Sequence, residues 1–188
     1  TNLSDSASQE YLADGLSEDL ITDLSKIPAF FVIARNSSFS YKGKSVKVQE
    51  VAADLGVRYI LEGSIRRTGD VLRINAQLID SSDGSHVWAD RYDGAADDIL
   101  RFQDQVLAEI VANMSAELGQ STIPLPAADT TSPEAYDAYL QGREILRGGA
   151  ADLVEEAIRH FAEAVALDPA FGRAYAGLAR AYWRIVKY

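Results

Sequence analysis

The sequence predicts a mixed α/β fold, in which a βαβ unit and antiparallel hairpins share one sheet covered by helices, followed by an all-α segment. Three observations predict it. Residues 30–34, FFVIA, are a continuous apolar run of the kind found in strands covered on both faces. Residues 71–80, VLRINAQLID, alternate apolar and polar side chains, as a half-solvated antiparallel strand does. Around these, and through residues 132–188, apolar side chains return at the helical spacing of three to four.

Size and charge bound what the chain can be. Its 188 residues suit one α/β domain with a smaller attachment. The 47% hydrophobic and 24% charged content is that of a globular protein, and no apolar run reaches the ~18 residues that span a bilayer. A net charge of -10 repels phosphate backbones, which argues against nucleic acid as a direct partner. Cysteine is absent, so disulfides, thiol nucleophiles and thiolate metal sites are excluded. The first residue is Thr1 and no signal sequence follows, so the chain reads as part of a longer polypeptide.

Taken in order, residues 1–9 are polar and turn-like. Leu12, Leu16, Leu20, Leu24 and Ile27 then form one helical stripe that Pro28 ends, with Asp14, Glu18, Asp19 and Asp23 placed away from it on a solvated face. The FFVIA strand leads into residues 35–44, RNSSFSYKGK. Ligands of open α/β sheets bind beyond the carboxyl ends of strands, so Arg35, Asn36, Ser37, Ser38, Tyr41 and Lys42 are the candidate ligand-binding residues. The two cations suit a carboxylate or phosphate, and the hydroxyls and amide would orient it. The competing reading is a solvated loop whose Asn and Ser bond their own backbone.

A short helix with Val48, Val51, Ala52 and Leu55 on one face closes at Gly56, a left-handed cap. Residues 59–67 form the next strand, joined to 71–80 through Thr68, Gly69 and Asp70 in a hairpin. The turn SSDG at 81–84 leads to a third antiparallel strand over 85–93. His86 lies on that strand and His160 on a later helix, so no multi-histidine metal site is expected, and no cofactor motif is present. Ile99, Phe102, Val106, Ile110, Met114 and Leu118 mark a long helix whose N-terminus is complemented by Asp97 and Asp98. Residues 119–131 carry two prolines and few large apolar groups and read as a domain boundary.

Ser132 and Pro133 open the next helix as cap and first-turn residue, and Gly148-Gly149 ends it. A second helix runs from about Leu153 to Leu167 with Ala157, Phe161 and Ala164 inward, and a third starts near Arg173. This segment resembles a tetratricopeptide array: Ala157, Phe161, Ala164 and Pro169 fit one repeat, and Tyr175, Leu178, Ala179 and Tyr182 begin the next. The resemblance implies a protein partner bound through the helices, with Tyr136, Tyr139, Tyr175, Tyr182 and Trp183 as candidate contacts. About one and a half repeats are present where such arrays need three or more, so the aromatic end is also expected to pair with a second copy.

The front domain, over residues 10–118, resembles the TolB-like amino-terminal domain of bacterial signalling proteins. The matching segments are EYLADGLSEDLITDLSKI, FFVIARNSSFSYKGKSV, LGVRYILEGSIRR, LRINAQLID and HVWADRYD. In that family the domain sits between a class III adenylate or guanylate cyclase domain and a tetratricopeptide array, or behind a winged-helix regulator. Two departures stand out. The family's apolar strand before the NLS at residues 2–4 is missing, leaving a sheet position empty or filled by a neighbouring molecule. Lys47 stands where an acidic helix-starting residue is usual, leaving that helix uncapped.

The resemblance implies a non-catalytic regulatory and protein-interaction region, the C-terminal part of a bacterial cyclase. It also implies a cytoplasmic location, or a periplasmic one if the front domain is a membrane-anchored winged-helix regulator. The alternatives are a small-molecule or anion sensor built on residues 35–44 and the sensor region of a transcription factor. No cyclase catalysis is expected of this chain itself, which lacks evident paired metal-binding aspartates.

Overall fold

The computed structural model describes residues 2, 10–117, 119 and 123–187. They form two units, Thr1–Pro126 and Ala127–Tyr188. The first is mixed α/β, with helices α1 (Glu10–Ser25), α2 (Arg35–Phe39), α3 (Val48–Leu55) and α4 (Ile99–Glu117) around strands β1 (Tyr59–Thr68), β2 (Val71–Asp80) and β3 (His86–Ala95). The second holds α5 (Pro133–Gly148), α6 (Val154–Leu167) and α7 (Gly172–Lys187). No described helix is long and apolar enough to cross a membrane.

The sheet is an antiparallel meander in the order β1-β2-β3. Thr68 pairs with Val71, so the first turn is the two residues Gly69 and Asp70, and Gly69 takes the φ of 60° that such a turn demands. One face of β2 is apolar and sealed: Leu72, Ile74, Ala76 and Leu78 are buried against α4, whose Phe102, Val106 and Ile110 are buried in turn. Each of these side chains other than Ala76 contributes about 1.5–3 kcal/mol relative to exposure. The other face is a polar ladder, in which Gln77 donates to Glu62 at 3.0 Å and Asn75 to Ser64 at 3.1 Å. Leu78 opposes Trp88 but Ile79 opposes His86, so Val87 is an extra residue in β3. This bulge coincides with the end of the alternation in β2, where Leu78, Ile79 and Asp80 are all buried in succession.

Residues 30–34 are not a strand. None of them is buried, and Phe31 is 85% exposed. The expected βαβ unit is therefore absent, because an apolar run specifies a wish for burial and not the neighbour whose ladder would make it a strand. Among the described residues, the pairing on the outer edge of β1 is a single parallel bridge from Asn2 to Ile65. The rest of 1–9 lies outside the described residues, as does Leu118 at the expected end of the long helix.

In the second unit the core is built mainly from small and aromatic side chains, with Leu140 and Val154 buried among them. Ala135, Ala157, Ala164, Phe171, Ala174 and Ala181 are completely buried. The Phe161 ring is held between α5 and α7, and a Cβ on Gly142 would stand 3.1 Å from it. Gly177 is closer still, so both glycines are needed for the approach. Ser132 Oγ accepts the Ala135 amide at 3.1 Å, which makes it the cap expected from the sequence. Gly149, at φ 80°, ends α5, and Arg184 of α7 donates to the terminal carbonyls of Leu146 and Gly149.

Candidate functional site

Glu10, Asp14 and Glu18 follow one another at a spacing of four along α1 and so share a face. That carboxylate ladder receives two of the three cations of residues 35–44, Arg35 and Lys42. Arg35 Nε lies 2.8 Å from Glu18 and its Nη2 lies 3.9 Å from Asp14. Lys42 Nζ lies 2.5 Å from both Glu10 and Asp14. Burial alone would lower the Lys42 ammonium, and its bonds to Asp14 and Glu10 outweigh that and hold it above its ordinary value. The Arg35 guanidinium also stacks 3.8 Å above the Phe39 ring.

The remaining candidate residues of this segment lie around these pairs. Residues 35–39 are a short helix and not a loop, with Asn36 and Ser37 exposed. Ser38 Oγ donates back to the Arg35 carbonyl at 3.0 Å. The Tyr41 hydroxyl donates to Asp54 of α3, and that hydrogen bond, with some burial, raises the phenol above its usual range. Because 30–34 is not a strand, the cluster does not stand at the carboxyl end of one. It brackets α1 instead. The sequence contained the signal for this in the complementary spacing of 10, 14 and 18 against 35 and 42, which an assignment of α1's acids to solvent passes over.

That assignment also fails for Asp14, Asp19 and Asp23, which are 8%, 1% and 6% exposed. Asp23 pairs with Lys26 at 2.8 Å and accepts from Gln103 of α4 at 3.3 Å. Burial and the nearby charge of Asp23 raise Asp104 above the usual carboxylate range. No group of three or more His, Asp or Glu side chains among the described residues is arranged to hold a metal.

A groove of about 1220 Å³ runs between α1, α3 and the outer edge of β1, and its lining includes Leu16, Leu20, Val51, Ile60, Leu61 and Ile110. Segment 30–33 forms another wall, and Ser38, Phe39, Tyr41, Lys42, Gly43 and Lys44 also line the groove. The lining thus combines polar and cationic groups with a larger apolar surface.

In the helical unit the candidate partner residues divide. Tyr136 and Tyr139 are buried, and the Tyr139 ring packs 5.1 Å from Phe171 and 6.0 Å from Phe161. They belong to the core. Tyr175, Tyr182 and Trp183 are exposed on α7 at 47%, 54% and 61%, beside exposed Ile185 and Val186.

With this geometry in place, the comparisons with known proteins are informative in one direction. The chain is 43% identical over 178 residues, 94% of its length, to a Rhizobium meliloti (strain 1021) protein named "Putative adenylate cyclase 3". It is similar to part of that protein. The match spans 30% of the length of that relative. No family profile matches the chain. Among solved structures, the LpoB C-terminal domain from Salmonella enterica aligns over 50% of this chain and 76% of its own, at 15% identity and a TM-score of 0.30. An overlap that small defines no common fold.

Proposed function

We propose that this chain is a non-catalytic regulatory and protein-interaction region of a bacterial adenylate cyclase, working in the cytoplasm. On this reading residues 1–118 are a TolB-like domain, 119–131 a linker and 132–188 a tetratricopeptide segment. The observation that carries it is the 43% identity along 94% of the chain to a protein named as an adenylate cyclase, most of which lies outside the match. The larger remainder has room for a catalytic domain. The exposed aromatic face of α7 supports a role in binding protein, since Tyr and Trp are the residues that anchor such interfaces.

The test compares cyclic AMP formation by residues 1–188 alone, by the full-length parent, and by the parent lacking this region. We expect none from 1–188, and a basal rate that survives the deletion while its response to stimulus is lost. Cyclic AMP made by 1–188 alone overturns the non-catalytic reading. A deletion that leaves the stimulated response intact overturns the regulatory one.

A second reading is a small-molecule or anion sensor using residues 35–44, and the groove that borders this segment favours it. An anion reaching Arg35 or Lys42 has to compete with the carboxylates of α1. Ligand-dependent thermal stabilisation lost in Arg35→Ala is its expected mark, and no response to nucleotides, sugars and organic acids sinks it.

A further inference from the structure

What holds residues 35–44 in place is charge and not apolar burial. No side chain in this segment is buried, the α2 helix is five residues long, and its N-cap, Ala34, has no side-chain bond to offer. A segment with few buried apolar contacts sits at the low end of local stability in a fold. Set against this are two cations on one carboxylate ladder. Asp14 is its centre, since Lys42 and Arg35 both reach it and it is only 8% exposed. Beside these pairs, the Tyr41 hydroxyl donates to Asp54 of α3, a tie that does not involve α1. The same segment supplies Ser38, Phe39, Tyr41, Lys42 and Lys44 to the lining of the groove, so it is one of its walls.

We propose that residues 35–44 are an electrostatic latch on the groove of the α/β unit, clipped to the Glu10, Asp14 and Glu18 ladder by Lys42 and Arg35, and that neutralising Asp14 or screening the pairs releases it and opens the apolar interior. Exposed and half-exposed ion pairs respond strongly to salt, and the Debye length falls to about 3 Å at about 1 M. The sheet, held by backbone ladders and a sealed apolar face, has no such sensitivity. The latch does not depend on the cyclase-linked reading, because it concerns how one segment is held on one helix.

Amide hydrogen exchange read by mass spectrometry, with Nile red as a neutral apolar probe of the groove, tests it on the intact chain. Asp14→Asn, and wild type at about 1 M sodium chloride, are each expected to speed exchange over 35–44 by about fivefold to tenfold. Nile red emission should rise with it, while exchange over 71–80 is unchanged. Arg73→Gln, which breaks the Arg73–Asp93 pair on the sheet outside the groove lining, should alter neither readout. If Asp14→Asn also loses protection over 71–80, Lys42→Gln gives the decision, because it removes the same clip from the exposed side. Exchange over 35–44 that is insensitive both to salt and to the decisive variant overturns the latch. So does faster exchange without any gain in Nile red emission, since the segment would then not gate the groove.

Discussion

Arg58 and Asp80 clamp the open end of the β1–β2 ladder, with Arg58 Nε and Nη2 donating to one Asp80 oxygen at 3.0 and 2.7 Å. The other Asp80 oxygen accepts the Ser82 amide and hydroxyl at 2.9 and 2.7 Å, so one carboxylate closes both the ladder and the 81–84 turn. The hydrogen bond from Arg58, then those from Ser82, hold the Asp80 carboxyl far below the usual carboxylate range. A carboxylate depressed on folding contributes stability that is complete above its unfolded pKa and is lost as pH falls towards the folded one. Asp80→Asn should therefore lower the melting temperature near neutral pH. The gap to wild type should narrow as pH drops from about 5 to about 2. A gap that is constant across that window counts against the clamp.

A second titration runs in the opposite direction. Burial, then the charges of Asp90 and Glu109, push the Tyr92 phenol up to about 12, and its hydroxyl is buried without a hydrogen-bond partner among the described residues. An acid whose pKa is raised by folding contributes stability that is complete below the unfolded value, about 10, and is lost as pH rises through the folded one. Tyr92→Phe removes an unsatisfied hydroxyl and keeps the ring 5.9 Å from Phe102, so it should be neutral or stabilising by about 1 kcal/mol. It should also remove one late-ionising phenol from an alkaline absorbance titration. Loss of stability in Tyr92→Phe would mean that the hydroxyl is bonded.

Much of this architecture was legible because its signals are local. The period-2 pattern of 71–80, the Gly69 turn and the left-handed Gly56 cap each need only neighbouring residues, and each stands where the sequence placed it. FFVIA was misread because a strand is defined by its ladder partner, which the run itself does not encode. The acids of α1 were misread for a related reason. Helical spacing shows which residues share a face, but whether that face meets water, Lys42 or Gln103 depends on segments 28 and 80 residues away. The groove was invisible because it is a property of separated elements and not of any motif.

Helix capping offers a test with opposite signs at two positions. Lys47 is the N-cap of α3 in an extended conformation, φ -66° and ψ 139°, with no side-chain hydrogen bond, as the sequence led us to expect. Lys47→Ser places a side-chain acceptor beside the amides of the first turn and removes a cation from the positive end of the helix dipole, so it should stabilise the α/β unit by about 0.5–1 kcal/mol. Ser132→Ala takes away the acceptor of the Ala135 amide and should cost the helical unit about 1 kcal/mol. Urea midpoints followed for each unit by hydrogen exchange check both. Equal signs at the two positions would contradict the capping account.

Phe161 and Gly177 give the sharpest test of how the helical unit packs. The Phe161 ring is 1% exposed, and truncation to Ala should cost about 3–5 kcal/mol because the neighbouring helices cannot fully collapse on the cavity. Gly177→Ala brings two effects of opposite sign. It gains about 1 kcal/mol of helix propensity, and it drives a methyl group into the Phe161 ring, where overpacking costs about 1–3 kcal/mol. In the wild-type background the overlap should prevail and the variant should be less stable. With Phe161→Ala already present the ring is gone, so Gly177→Ala should become stabilising, and the sign change is what a double-mutant cycle measures. An effect of the same size in both backgrounds would show that the glycine serves backbone freedom and not the approach of α7 to the ring.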